Sequence, residues 1–68
     1  MTIFSERIKN LRIENGYGQR KIALDLGVNQ CTVSRWENGL QEPSLDMLIE
    51  IARYFNVSID YIVGLTDD

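Results

Sequence analysis

Apolar positions along the chain recur at three- and four-residue intervals, and glycines punctuate them. Phe4, Ile8 and Leu11, with Ile3 nearby, share one side of a helix whose remaining positions include Glu6, Arg7, Lys9 and Asn10. Thr2 is its expected N-cap, and Asn15-Gly16 its stop. A second amphipathic stretch, Gln19–Leu26, gathers Ile22, Ala23 and Leu26 on one face and leaves Leu24 off it. Gly27 follows, and a third stretch, Gln30–Glu37, turns Val33 and Trp36 inward before Gly39 closes it. This spells short helix, tight turn, short helix. Glycine suits the junction because a helix commonly ends on a left-handed residue, a conformation glycine adopts without steric penalty. The small Ala23 lets two helices cross closely. Asn29 stands at the N-cap of the third helix.

Pro43-Ser44 introduces a fourth helix, with Ser44 as N-cap and Asp46 in the first turn, where a negative charge is favourable. Leu45, Leu48, Ile51, Ala52 and Phe55 form its continuous core stripe. Asn56 ends it, Val57 fills a gap, Ser58 caps a last short helix, Ile59–Val63, and Gly64 terminates that one. The expectation is a compact all-α fold of five helices, a single domain over residues 1–68 with no repeats and no linkers.

Composition narrows the function. Sixty-eight residues bury only about 60% of the unfolded surface, so a partner subunit would add stability. No apolar run is long enough to span a bilayer, and Met1–Phe4 leads straight into Ser5-Glu6-Arg7 without a signal-peptide pattern, so a cytoplasmic protein with no membrane contact is expected. The chain has no histidine and one cysteine, Cys31, which leaves no zinc site, no histidine-based triad and no intramolecular disulfide. No cofactor is implied. A thiol beside helix N-terminal amides has a redox-sensing reading, set against the inert behaviour usual for a lone cysteine.

The net charge of −3 is unevenly spread. Residues 1–39 carry Arg7, Lys9, Arg12, Arg20, Lys21 and Arg35 against Glu6, Glu14, Asp25 and Glu37, a balance of +2. Residues 40–68 carry Arg53 against Glu42, Asp46, Glu50, Asp60, Asp67 and Asp68, a balance of −5. The two-helix unit thus lies in the mildly basic half, and the acidic half would face away from a polyanion. Gln19, in the first turn of the second helix, lies beside unpaired backbone amides that suit a phosphate. Gln30, Cys31, Thr32 and Arg35, in the opening turns of the third helix, are able to address base edges: glutamine matches adenine, arginine matches guanine, and Cys31 or Thr32 can touch a thymine methyl. By residue type alone the same face reads first as an ordinary solvated surface, and the surrounding motif is what favours base readout.

Several stretches carry a resemblance: LRIENG (Leu11–Gly16), Gln19, IALDLGV (Ile22–Val28), VSRWENG (Val33–Gly39), EPSLDMLIEIARYFNVS (Glu42–Ser58) and DYIVGL (Asp60–Leu65). In these the chain resembles the helix-turn-helix family of phage Cro and cI repressors and their bacterial relatives, in register over nearly its whole length. The resemblance implies a lambda-repressor-like domain whose third helix, Gln30–Glu37, enters the major groove, with Asn29, Gln30, Cys31, Thr32 and Arg35 at the bases. It implies phosphate contacts from Gln19 and Asn38, to which Arg20 is added as a neighbouring cation, and an ion pair between Arg12 and Glu37 tying the first helix to the third. An exposed pair of that kind would contribute only ~0–1 kcal/mol. Gly18 and Asn29 stand where the family favours serine or threonine, and Leu40 where it favours a basic residue, which removes a phosphate contact.

The segment Ile59–Leu65 holds more apolar side chains than one face of a short helix buries. Composition leaves open whether they close the core or join two copies. The resemblance implies a homodimer through Tyr61, Ile62, Val63 and Leu65, assembled fully only on DNA, on a near-palindromic operator. The expected function is therefore sequence-specific binding of double-stranded DNA as a transcriptional regulator of the repressor kind, of bacterial or phage origin. The alternative is a protein-interaction module of the antitoxin or anti-repressor type with faded DNA binding, which the acidic half and Leu40 favour. No carboxylate pair has a metal or nucleophile pattern beside it, so no enzyme is expected.

Overall fold

The computed structural model describes residues 3–67, and the expected cap Thr2 lies outside them. Within that span the chain forms α1 (Ile3–Glu14), α2 (Gln19–Leu26), α3 (Gln30–Glu37), α4 (Leu45–Phe55) and α5 (Ile59–Val63). Caps set these limits. Met47 N–H donates to Ser44 Oγ at 3.1 Å, and Tyr61 N–H to Ser58 Oγ at 3.0 Å, satisfying amides that have no intrahelical partner. Asn29 has the extended backbone of an N-cap, but its side chain makes no cap hydrogen bond. Gly27, at φ 73°, ends α2 in the left-handed region, and Asn56, at φ 57°, ends α4 in the same way.

α2 packs on α3, α3 on α1, and α5 against both α1 and α4. The core between them is built from Phe4, Ile8, Leu11, Ile22, Leu26, Val33, Trp36, Ile51 and Ile62, with Ala23 beneath the turn. Val28 N–H donates to Ala23 O at 2.9 Å there. Gly64 is required twice over: its φ is 91°, and a Cβ would stand 2.6 Å from Ile3 Cγ2. This close approach seats the start of α1 against the end of α5.

Two core expectations need correction. Leu45 is 67% exposed rather than inside. The α4 stripe runs out at its first turn: Leu48 is only half buried and lines an open groove of about 270 Å³ together with Ile3, Phe4, Glu42, Pro43 and Val63, and Leu45, one turn earlier, lies outside the core. Phe55, at the other end, is likewise half buried. Ile62, expected at a dimer surface, is 0% exposed and belongs to the core, because helical spacing turns it toward α1 while Val63 and Leu65 stay outside.

Arg7 ties the C-terminal segment to α1. Its Nη1 donates to Tyr61 O and Thr66 O, each at 2.8 Å, and its Nη2 meets Asp67 Oδ1 at 3.2 Å. Its guanidinium also lies 4.1 Å from the centre of the Tyr61 ring, in cation–π geometry.

Candidate nucleic-acid interface

α3 is held from behind. Val33 is fully buried and Trp36 nearly so, and Glu37, only 4% exposed, joins them on the inner face. A buried carboxylate is costly unless it is paired and hydrogen-bonded. Glu37 is both: Arg12 Nε donates to Oε2 at 2.7 Å and Arg12 Nη2 to Oε1 at 3.0 Å, a bidentate fork. Arg12 Nη1 donates onward to Tyr17 O at 3.2 Å, so one guanidinium bonds α3 and the α1–α2 loop from its place on α1. The hydrogen bond to Glu37 holds the Arg12 pKa above its usual value, against the opposing effect of burial. With the Arg12 side chain 16% exposed and that of Glu37 4%, the pair is not a surface one.

Gln19 extends this network to the front of the molecule. Its Nε2 donates to Glu37 Oε1 at 3.2 Å, and its Oε1 accepts from Gln30 Nε2 at 3.1 Å. Side chains from α1, α3 and α2 are thereby linked to the first residue of α3. Nothing in the residue types announced the Gln19–Glu37 bond; its signal is the pairing of an interior-facing carboxylate with a glutamine in the first turn of the adjoining helix.

The outer side of α3 is polar. At about 100° per residue, Cys31, Ser34, Arg35 and Asn38 cluster around the outward direction, Gln30 lies on the flank beside α2, and Thr32 on the opposite flank. Gln30, Cys31, Arg35 and Asn38 are exposed, and Thr32 is half buried. Asn38 Nδ2 donates to Ser34 O at 2.8 Å and Ser34 Oγ at 3.3 Å, which engages its amide nitrogen within the helix. Asn29 is exposed at the head of α3. Arg20 and Arg35 are exposed and form no ion pair among the described residues.

Lys21, another cation of the basic half, is committed elsewhere. Lys21 Nζ meets Asp25 Oδ2 at 3.1 Å and sits 4.9 Å from the Tyr17 ring centre. Tyr54 Oη donates to the same Asp25 oxygen at 2.5 Å, bonding α4 to α2. Burial, with Asp25 as hydrogen-bond acceptor, pushes the Tyr54 phenol up to about 12, while the Tyr54 and Lys21 bonds hold Asp25 below its usual range. Leu24 and Leu40 are exposed at 81% and 77%. At the far end Tyr61 is half buried, Val63 36% exposed and Leu65 78% exposed.

This arrangement can present a preset row of amide, guanidinium and hydroxyl groups to a ligand with matching edges. Known proteins are similar to this chain in sequence and fold. A helix-turn-helix family model matches residues 8–62. An uncharacterized HTH-type transcriptional regulator of Bacillus subtilis, YobD, is 33% identical over 97% of this chain and 59% of its own. The phage CTXphi transcriptional repressor RstR of Vibrio cholerae is 33% identical over 91% of this chain and 56% of its own. The crystal structure of a transcriptional regulator from Listeria innocua superposes with a TM-score of 0.87 at 35% identity, over 96% of this chain and 61% of that one. The chain therefore spans little more than half the length of YobD and RstR.

Proposed function

The chain belongs to the helix-turn-helix family, and from that premise we propose that it is a transcriptional repressor that binds double-stranded DNA in a sequence-specific manner, with α3 in the major groove. One observation carries the proposal: α3 buries its apolar side completely and holds its polar opening turns out to solvent, braced by the Arg12–Glu37–Gln19–Gln30 network. Preorganisation of this kind lowers the ordering cost of binding.

Gln30, Thr32, Arg35, Cys31 and Asn29 then address bases, while Gln19, Arg20 and the Asn38 carbonyl end of α3 fix register on the phosphates. Because Lys21 and Arg7 are engaged within the fold and Leu40 offers no charge, few phosphates are neutralised, so affinity depends on base readout more than on charge. Two copies related by a two-fold axis would meet through Tyr61, Val63 and Leu65, without Ile62, and set their recognition helices about 34 Å apart on a near-palindromic site. The exposure of Val63 and Leu65 and the apolar groove beside them support such a dimer. The role is one of binding rather than catalysis. No described helix is long and apolar enough to cross a membrane, in keeping with a cytoplasmic DNA-binding protein.

Selection of bound duplexes from a random pool at fixed salt tests the proposal. Enrichment of a near-palindromic sequence is expected, and recovery of an unenriched pool would refute it.

A further inference from the structure

We infer that Glu37 sets the amide orientation of Gln30, with Gln19 as intermediary, and so fixes the order of hydrogen-bond acceptor and donor that α3 offers to a base. The inference rests on the assignment of Gln30 to base contact.

Each step follows from what these groups can donate or accept. A carboxylate held in an arginine fork only accepts. Gln19 must therefore turn its NH2 group to Glu37 Oε1, 3.2 Å away, and not its oxygen. The Gln19 oxygen then points the other way, toward Gln30, and an oxygen there only accepts as well. Gln30 must in turn present its NH2 group, which it does at 3.1 Å. One amide hydrogen of Gln30 is thereby taken, leaving one N–H and the carbonyl oxygen in a fixed order. Adenine, with an N6 donor beside an N7 acceptor, matches that pair. Guanine, with acceptors at both O6 and N7, sets an acceptor against the Gln30 oxygen. An unrestrained surface glutamine samples both amide orientations and several rotamers. Here the choice is made by a charge buried behind the helix, in a residue that never reaches the DNA. Glu37 is thus a positioning residue for specificity.

The test uses the intact chain with Glu37→Gln, Gln19→Leu and Gln30→Ala, bound to the selected duplex and to versions in which each adenine is replaced by guanine or 7-deazaadenine. Gln19→Leu keeps the Arg12–Glu37 pair, so it decides if Glu37→Gln fails to fold. Because Gln19 is also assigned a phosphate, the readout is the adenine-over-guanine ratio and not the affinity. Gln30→Ala is expected to flatten the preference at one base pair. Glu37→Gln and Gln19→Leu are each expected to lower the ratio at that same pair about three- to tenfold, the scale of releasing one glutamine side chain. Ratios elsewhere should stay within about twofold. In the unbound protein, the Gln30 side-chain amide resonances should move in both variants to those of a solvated glutamine. If Gln30→Ala flattens the preference and the other two leave the ratio and the resonances unchanged, the inference is overturned while the base contact stands. If Gln30→Ala changes nothing, the base contact itself is wrong and the inference falls with it.

Discussion

Arg12→Met isolates the energetics of the brace. It leaves the Glu37 carboxylate 4% exposed, with the Gln19 amide as its remaining side-chain donor. Removing one member of a buried pair typically costs about 3–5 kcal/mol, because the other charge remains without compensation. Two features soften that figure: Gln19 stays in place, and the 16% exposure of the Arg12 side chain marks a route for water once it is shortened. We expect about 2–4 kcal/mol. A domain of this length has a total stability of about 3–10 kcal/mol, so the variant sits near its unfolding threshold at ambient temperature. Glu37→Met should cost less, about 1–2 kcal/mol, since the Arg12 guanidinium still has Tyr17 O and solvent. The double substitution replaces the pair by apolar groups of similar length and should be less destabilised than the sum of the singles by at least about 1 kcal/mol. Urea unfolding followed by helical circular dichroism measures all three against the parent. Strictly additive losses would refute the pairing and return both residues to the class of independent solvated charges.

Other perturbations probe the remaining structure. Gln30→Ala and Arg35→Ala should each weaken the best site by about 1–3 kcal/mol and relax preference at separate base pairs in titrations on single-substitution duplexes; unchanged profiles would remove α3 from the groove. Gly64→Ala should destabilise by about 1–3 kcal/mol in thermal melts, through its φ of 91° and the collision with Ile3, and an unaltered melt would mean that approach is looser than described. Arg7→Ala should speed amide exchange from Leu65 to Asp67 while sparing α2 and α3, whereas exchange rising everywhere would make Arg7 a global stabiliser. Tyr54 keeps its proton to about 12 when folded and has an ordinary value of 10.0, so it contributes stability that is intact below 10 and lost as pH rises toward 12; Tyr54→Phe should delete the phenol step near 12 in an alkaline absorbance titration.

Most of the helix limits were legible because each rests on a local rule. Gly27, Asn56, Ser44 and Ser58 act on their own backbone neighbours, and the structure puts every one of them where such a rule requires. Burial was less legible. Leu45 falls in the same expected apolar stripe as Ile51, yet it is 67% exposed, and periodicity names a face without saying how far the covering elements extend. Ile62 and Leu65 are similarly apolar and lie on opposite sides of that boundary, which only the docking of α5 on α1 decides. At the interface, the exposed residues of α3 followed from the spacing of Val33 and Trp36. The Gln19–Glu37 and Tyr54–Asp25 bonds did not follow, because they join residues 18 and 29 positions apart through side-chain reach alone.

Trp36 makes α3 its own reporter. It is the one tryptophan in the chain, 2% exposed, and its Nε1–H is buried without a hydrogen-bond partner among the described residues. An indole buried to this degree emits at short wavelength, and opening it to solvent shifts the emission to the red. The fluorophore sits on the buried side of α3, opposite its exposed polar face. A duplex that docks on a rigid α3 will therefore leave the emission maximum where it is. A ligand that moves the maximum has lifted the helix off the core, and one spectrum separates the two events.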